Sequence, residues 1–160
     1  MGERKKIMFV CLGNICRSPI AEAVFIDCLK RRGKLDEWVV DSSAIIGYHT
    51  GNSPDQRAME ILKKFGITDY RHRAKVISAQ HFKDFDYVFG MDDENLNDLK
   101  NVRDKAGSEA KAVLGLLGEY DPEGVREVPD PYYHSGSAMF EKVYHQCVRC
   151  CEKFLDSLYC

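Results

Sequence analysis

A thiol, a guanidinium group and a hydroxyl group lie close together near the start of the sequence, in the octet Cys-Leu-Gly-Asn-Ile-Cys-Arg-Ser at residues 11–18. A cysteine thiolate is a strong nucleophile. An arginine side chain offers a planar fork that fits two oxygens of one phosphoryl group, a geometry that lysine does not reproduce. The octet therefore predicts a nucleophile, Cys11, beside an oxyanion site that Arg17 helps to form, with the Ser18 hydroxyl next to the sulfur.

The segments on either side of the octet predict how it is held. Residues 7–10, Ile-Met-Phe-Val, form a short apolar run that is typical of a buried strand, and Pro19 favours the first turn of a helix. Apolar residues then recur at the spacing of one buried helical stripe, namely Ala21, Val24, Phe25, Cys28 and Leu29. The octet is thus predicted to connect a strand to a helix N-terminus.

A helix N-terminus leaves backbone N–H groups unpaired and carries positive partial charge, so it binds anions. No residue from Leu12 to Arg17 is proline, and Gly13 allows a tight curl, so every amide of the loop can point inward. The same field favours the thiolate form of Cys11. We therefore expect phosphate to bind to the loop residues, which are Leu12, Gly13, Asn14, Ile15 and Cys16.

With its Pro19 and a later Asp130-Pro131-Tyr132-Tyr133, the octet resembles the signature of the low-molecular-weight protein tyrosine phosphatases. That signature is Cys, five residues, Arg, then Ser or Thr, and the resemblance covers essentially the whole chain. It implies hydrolysis of phosphotyrosine and small aryl phosphates, including acid phosphatase activity, through a cysteinyl-phosphate intermediate. It also implies catalytic roles for Cys11, Arg17 and Ser18, without a cofactor or a metal.

The departure of a phenolate requires a proton donor, because the oxygen otherwise leaves as an anion. Asp130 lies between two prolines that stiffen its segment. Pro-Asp-Pro alone is compatible with an ordinary turn. Together with the upstream thiol loop it favours Asp130 as the general acid, the role that the resemblance also implies.

The resemblance further implies aromatic walls at Tyr48, Tyr132 and Tyr133, which would select flat aryl phosphates by their stacking area. These tyrosines are equally compatible with surface packing, most of all Tyr48. Asn14, Ser42 and His72 match the family's loop-supporting network. His72 lies between two arginines and is also compatible with a solvated surface position.

Cys16 follows Cys11 by five positions, on the opposite limb of the loop. A reversible disulfide between the two would protect the nucleophile after oxidation. We therefore expect redox regulation at this pair.

The composition places limits on the possible functions. The 160 residues predict one domain, residues 1–160, and the 23 basic and 25 acidic side chains give a net charge of −2, which does not favour nucleic-acid binding. Seven cysteines, three of them on one predicted helix, favour a reducing compartment over a disulfide framework. Cys147-x-x-Cys150 lacks a second pair at zinc-finger spacing, so packing is favoured over metal binding.

Strand-like and helical patterns alternate along the chain. Strands are predicted at residues 6–11, 38–42, 85–91 and near 110–114, and helices around 18–32, 55–65, 92–100 and 137–158. The alternation predicts a single α/β domain, a twisted parallel four-stranded sheet with helices on both faces and the phosphate loop after the first strand. We expect a cytoplasmic protein without a membrane-inserted segment, a monomer or weak dimer whose partners are phosphotyrosine-containing proteins.

Several alternatives stay open at this point. Some thiol-dependent arsenate reductases share the loop, but they use further redox cysteines after the third strand, and no cysteine lies between Cys28 and Cys147. Protein-arginine phosphatases resemble this loop with a threonine where Ile15 stands, so Ile15 favours tyrosine. A non-catalytic phosphate-binding module would lack the nucleophile or the acid. A nucleotide P-loop would need Gly-Lys-Ser/Thr, which does not follow Gly13.

Overall fold

The computed structural model describes residues 3–159. Its sheet has four parallel strands in the order β2-β1-β3-β4, with the bounds β1 Lys5–Cys11, β2 Trp38–Ala44, β3 Tyr87–Gly90 and β4 Val113–Leu116. The prediction of an α/β fold with a four-stranded parallel sheet is confirmed.

In the described part of the chain, five α-helices connect and cover the strands, namely α1 Arg17–Arg31, α2 Gln56–Lys64, α3 Ala79–Asp84, α4 Asp93–Ala106 and α5 Ala138–Leu158. Short 3₁₀ turns occupy Leu35–Glu37, Gly107–Glu109 and Leu117–Tyr120. Helices α1, α2 and α5 pack together on one face of the sheet, and α3 and α4 contact each other on the other.

The alternation of side chains along β1 explains the two layers. Ile7 and Phe9 point into the core that contains α1 and α5, whereas Met8 and Val10 point into the smaller core under α3 and α4. All four side chains are fully buried. A central parallel strand is covered on both faces and therefore reads as a continuous apolar run.

The larger core is centred on aromatic rings. The ring of Phe154, on α5, lies 5.0–5.2 Å from the rings of Tyr120, Tyr87 and Phe89. The cysteines Cys147, Cys150 and Cys151 on the same helix are buried free thiols. Burial raises the pKa of each thiol above its usual value. In this fold they act as packing residues.

Three sequence predictions about elements need correction. Strand β4 begins at Val113 and not near Ala110, because the amides of Lys111 and Ala112 donate to the carbonyl of Phe82 outside the ladder. Strand β3 is shorter than 85–91. Helix α4 continues past residue 100 to Ala106 and ends at Gly107, whose φ of +65° suits glycine. Helix α3 was not predicted, since six residues are too few for a periodic pattern.

The strand order positions the site. The chain leaves β1 toward β2 on one side and reaches β3 on the other, so a crevice opens at the carboxyl end of β1, where ligands bind in such sheets. Cys11 is the last residue of β1. Within residues 3–159 no helix combines the length and apolarity needed to cross a bilayer.

Candidate active site

The octet forms a closed loop between the end of β1 and the start of α1. Asn14 has a φ of +58°, and among residues 3–159 it is the one non-glycine residue with a positive φ. Asparagine enters this left-handed region more readily than most residues. The side chain of Asn14 is fully buried, and its four hydrogen bonds hold the strained backbone in place.

The carbonyls of the loop are bound by neighbouring segments. Ile45 N–H donates to Cys11 O at 3.0 Å, Ile46 N–H donates to Leu12 O at 3.0 Å, and Asp55 N–H donates to Ile15 O at 2.8 Å. The C=O and N–H groups of a trans peptide point in opposite directions. The amides of residues 12, 13 and 16 therefore point toward the inside of the loop, as an anion nest requires.

The Cys11 sulfur lies at the centre of this loop. Its Sγ atom accepts a hydrogen bond from Asn14 N–H at 3.3 Å and lies 3.0 Å from Ser18 Oγ. The residue is only 3% exposed, and it lines the floor of the cavity above the loop. A thiolate here would be stabilised by two donors while its upper side stays open to a substrate.

A chain of hydrogen bonds supports the loop from below. Asn14 Nδ2 donates to Ser18 Oγ at 2.7 Å and to Ser42 Oγ at 3.0 Å, and Asn14 Oδ1 lies 2.7 Å from His72 Nε2. Ser42 Oγ donates to Glu22 Oε1 at 2.6 Å. The structure thus joins the three residues predicted to support the loop.

Glu22 extends this network and was missed by the sequence analysis. Its Oε1 also accepts from Tyr70 OH at 2.7 Å and lies 3.5 Å from His72 Nδ1. Burial raises the pKa of Glu22, although the bonds from Ser42 and Tyr70 oppose this, and burial lowers the pKa of His72. Both shifts favour the neutral pair. Glu22 is the one acidic residue in the otherwise apolar segment 19–26 of α1, and this was an available signal.

Arg17 is the first residue of α1 and is 3% exposed. Its Nη1 atom donates to Asp92 Oδ2 at 2.7 Å and to Val128 O at 3.0 Å. Burial opposes its charge, but the negative groups of Cys11, Asp92 and Asp130 outweigh burial and raise the pKa of Arg17. A permanently charged and oriented guanidinium therefore lies beside the sulfur.

Asp92 is the second residue that sequence analysis did not assign to the site. It directly precedes α4, and its other carboxylate oxygen accepts from Asn95 N–H at 2.8 Å as the helix N-cap. The available signal was an acidic residue just after the third strand, at the sheet edge where Cys11 lies. Asp92 fixes the orientation of Arg17 from the far side of the crevice.

Asp130 lies across the cavity from the loop. Its Oδ2 atom is 3.6 Å from Arg17 Nη2, and its Oδ1 atom accepts from Tyr132 N–H at 3.1 Å. The segment before it is fixed, because Val128 N–H donates to Met91 O at 2.8 Å. The Asp130 carboxyl group therefore has a defined position in the lining of the cavity that Cys11 also lines.

The cavity has a volume of about 260 Å³ and is rimmed by aromatic rings. Tyr48 and Tyr133 are mostly exposed, at 83% and 78%, while Tyr132 is 39% exposed. The Tyr132 and Tyr133 rings lie perpendicular to each other at 5.1 Å. Twelve residues line the cavity, namely Cys11, Leu12, Gly13, Ile15, Cys16, Arg17, Ile46, Tyr48, His49, Asp130, Tyr132 and Tyr133. Ile46 and His49 were not assigned to the site, although the sequence indicates that their segment, residues 46–50 around Tyr48, influences specificity.

Cys16 also lines this cavity and is a free, buried thiol. Burial and the nearby carboxylate of Asp55, together with Cys11, raise its pKa above the usual value. The thiol form of Cys16 is therefore favoured.

Among residues 3–159, one group of side chains has the atoms and spacing that could bind a metal ion. Ligand atoms of Glu22, Asp41 and His72 lie within 4.8 Å of one another. Lys75 forms an ion pair with Asp41 there. An ammonium group already provides the positive charge of this cluster. Cys147 and Cys150 are not part of such a group in the described chain.

Comparisons with known proteins agree with this geometry. A family model described as low molecular weight phosphotyrosine protein phosphatase matches residues 6–159. The low molecular weight phosphotyrosine protein phosphatase of Sus scrofa is 47% identical over 154 residues, 96% of each chain. A protein tyrosine phosphatase structure from Entamoeba histolytica has a TM-score of 0.88 at 32% identity, covering 96% of both chains. The structure of DARP, a drosophila arginine phosphatase, has a TM-score of 0.91 at 35% identity, covering 97% of this chain and 98% of that one. The protein therefore belongs to the low molecular weight phosphotyrosine protein phosphatase family.

Proposed function

We propose that the protein is a cysteine-dependent protein tyrosine phosphatase, which hydrolyses phosphotyrosine and small aryl phosphates through a cysteinyl-phosphate intermediate. The observation that carries the proposal is the position of the Cys11 sulfur, inside an amide-lined loop and below a cavity that Asp130 and aromatic rings enclose. The names of the relatives, phosphotyrosine protein phosphatases, agree with this activity.

In the first step the Cys11 thiolate attacks phosphorus in line with the leaving oxygen. The inward amides of the loop and the guanidinium of Arg17 stabilise the negative charge on the equatorial oxygens. Asp130 donates its proton to the departing tyrosyl oxygen. The phosphorus–oxygen bond breaks, a sulfur–phosphorus bond forms, and tyrosine leaves as the neutral phenol.

In the second step water attacks the cysteinyl phosphate. The Asp130 carboxylate takes a proton from this water, and the sulfur–phosphorus bond breaks to release inorganic phosphate. Ser18 Oγ, 3.0 Å from Cys11 Sγ, donates a hydrogen bond to the thiolate as it leaves. Because Asn14 Nδ2 donates to that same oxygen, the Ser18 proton is free to point at the sulfur.

The shape of the cavity supports a preference for aryl substrates. A phosphate bound by the loop would place its ester group in the cavity that the rings of Tyr48 and Tyr132 line, and these rings offer flat apolar surfaces. Stacking on such rings favours a phenyl ester over a short aliphatic one. We therefore expect higher acid phosphatase activity on small aryl phosphates than on short aliphatic ones.

The experiment that tests the proposal is hydrolysis of para-nitrophenyl phosphate and a phosphotyrosyl peptide in the presence of EDTA. We expect turnover by the wild-type protein and none by Cys11→Ser, which should still bind inorganic phosphate. Cys28→Ala serves as the matched control, since Cys28 is a buried thiol on α1 outside the cavity. Retained activity in Cys11→Ser, or loss of activity with EDTA alone, would contradict the mechanism.

Phosphoarginine is a second candidate substrate, favoured by the structural similarity to the drosophila arginine phosphatase. Ile15 lines the cavity, and its branched side chain narrows the space available to a guanidinium group that needs polar partners. We expect phosphotyrosine to be the better substrate of the wild type and Ile15→Thr to shift the ratio toward phosphoarginine. A wild-type preference for phosphoarginine would favour the second candidate.

The proposal includes redox regulation by Cys11 and Cys16, which line the same cavity. Hydrogen peroxide would oxidise the Cys11 thiolate to a sulfenic acid, and the Cys16 sulfur would displace water from it to form a disulfide. A thiol reductant reverses this reaction. Peptide mass spectrometry of peroxide-treated protein should find the Cys11–Cys16 bond, and its absence, with no recovery of activity by thiols, would refute this part.

We also propose a cytoplasmic location and a monomer or weak dimer. The six described cysteines are all free and buried, which agrees with a reducing environment. Light scattering across a concentration series tests the oligomeric state.

A further inference from the structure

Arg57, on the first turn of α2, connects the phosphate loop to the loop that carries Asp130. Its Nε atom donates to Asp55 Oδ1 at 3.1 Å, and its Nη2 atom donates to Asp55 Oδ2 at 3.0 Å. The backbone N–H of the same Asp55 donates to Ile15 O in the phosphate loop. The guanidinium is thus fixed relative to the phosphate loop by a two-point contact.

The other side of the guanidinium faces the loop that carries Asp130. Arg57 Nη1 donates to His134 O at 2.6 Å, and Nη2 donates to Tyr132 O at 3.2 Å. Among residues 3–159, these are the hydrogen bonds by which another element holds residues 131–136. The guanidinium also lies 4.5 Å above the ring of Phe140, a buried residue in the first turn of α5.

The contact continues to the carboxylate itself. Tyr132, whose carbonyl accepts from Arg57, donates its own N–H to Asp130 Oδ1 at 3.1 Å. Arg57 therefore fixes the residue that orients the Asp130 side chain. The aromatic ring of Tyr132 belongs to the cavity wall, so the same bond also sets the wall.

We propose that Arg57 is a positioning residue for the chemical step, which holds the Asp130 loop at a fixed distance from the phosphate loop so that Asp130 can protonate the leaving oxygen. The proposal rests on the function proposed above. Arg57 does not line the cavity and acts through Asp130. The four hydrogen bonds leave from three nitrogens of the planar fork, Nε, Nη1 and Nη2, whereas an ammonium group has a single nitrogen and cannot reproduce this spacing.

The test compares kcat/KM for two substrates, phenyl phosphate with a poor leaving group and 2,4-dinitrophenyl phosphate with a good one. We expect Arg57→Ala to lower kcat/KM for phenyl phosphate by roughly tenfold, since a positioned acid contributes about 10²–10⁴-fold and a loosened loop forfeits part of that. The value for the dinitrophenyl ester should change by less than about twofold, because its leaving group needs little protonation. Arg57→Lys should give a smaller loss of the same kind.

Arg31→Ala is the matched control, since Arg31 forms exposed ion pairs with Asp27 and Glu152 far from the cavity. It should leave both kcat/KM values unchanged. Circular dichroism and the thermal midpoint of every variant show whether it is folded. If Arg57→Ala does not fold, Arg57→Lys provides the same comparison.

Equal losses for the two substrates would overturn the proposal, because a merely structural residue affects both alike. No loss for phenyl phosphate would overturn it as well. In the double variant Arg57→Ala/Asp130→Ala, the loss should not exceed that of Asp130→Ala alone, and additive losses would show that Arg57 does not act through Asp130.

Failure of the proposed function gives a different pattern. If Asp130→Ala alone lowered both substrates equally, Asp130 would not be the acid, and the positioning role would fall with it. If Cys11→Ser kept full activity, the cysteine mechanism itself would be wrong. In either case the single variants of Asp130 and Cys11 identify the error without reference to Arg57.

Discussion

Replacement of Asn14 by alanine tests the support of the phosphate loop. The change removes four hydrogen bonds. Asn14 Nδ2 donates to Ser18 Oγ and Ser42 Oγ, and Asn14 Oδ1 accepts from His72 Nε2 and from Lys75 N–H. At about 1 kcal/mol each, they amount to roughly 4 kcal/mol of unfolding free energy. Alanine at a φ of +58° adds about 1–2 kcal/mol. The total, about 5–6 kcal/mol, is a large part of the 5–15 kcal/mol typical of a domain.

Asn14→Gly is the control that separates the two contributions. Glycine loses the same hydrogen bonds but adopts the left-handed conformation without strain, while it loses about 0.5–1 kcal/mol more backbone entropy on folding. We therefore expect the glycine variant to be more stable than the alanine variant by about 0.5–1 kcal/mol.

The assay for both variants is urea unfolding followed by circular dichroism, with kcat for para-nitrophenyl phosphate measured at a temperature where each variant is folded. We expect kcat to fall in both, because Ser18 loses the donor that orients its hydroxyl toward Cys11. A loss below about 2 kcal/mol for Asn14→Ala would refute the hydrogen-bond argument, which assigns about 1 kcal/mol to each bond. A glycine variant less stable than the alanine variant would refute the argument from backbone strain.

Three further predictions concern other parts of the fold. A Cβ atom at Gly118 would lie 1.9 Å from the carbonyl oxygen of Arg126, so Gly118→Ala should lower stability by about 1–3 kcal/mol and reduce activity, and an unchanged thermal midpoint would contradict this. Hydrogen bonds from Arg149 lower the pKa of the buried Asp121 below 3.8. The stabilisation of the folded state by the ionised Asp121 is complete above pH 3.8 and is lost as the pH falls through the lowered pKa. The difference in unfolding free energy between wild type and Asp121→Asn should therefore shrink below about pH 4. Urea unfolding at pH 7 and at pH 3 tests this. Phe154→Ala should cost about 3–5 kcal/mol in urea unfolding, because it removes the centre of the aromatic core, and a loss below about 1 kcal/mol would contradict that role.

The elements of the site that follow one another along the chain could be predicted from the sequence. Strand β1, the loop and α1 follow one another within about thirty residues, and their patterns show a buried strand, a glycine-containing turn and an apolar helical stripe. The pairing of Asn14 with Ser42 and His72 came from the family resemblance. These residues are separated from Asn14 by 28 and 58 positions, and no periodicity in the sequence connects them. Strand β4 was displaced in the prediction because the backbone bonds of Lys111 and Ala112 depend on a distant helix end.

The chemistry of the loop follows from local sequence, since the thiol, the amides and the guanidinium lie within eight residues and local backbone geometry brings them together. The residues around this loop come together through tertiary contacts. Asp92 binds Arg17, 75 residues away in the sequence, because β3 pairs with β1. Arg57 binds the carbonyl of Tyr132, also 75 residues away, because α2 and α5 pack on the same face of the sheet. Such contacts depend on strand order and helix packing, and these arise from burial summed over the whole chain, so no short stretch of residues encodes them.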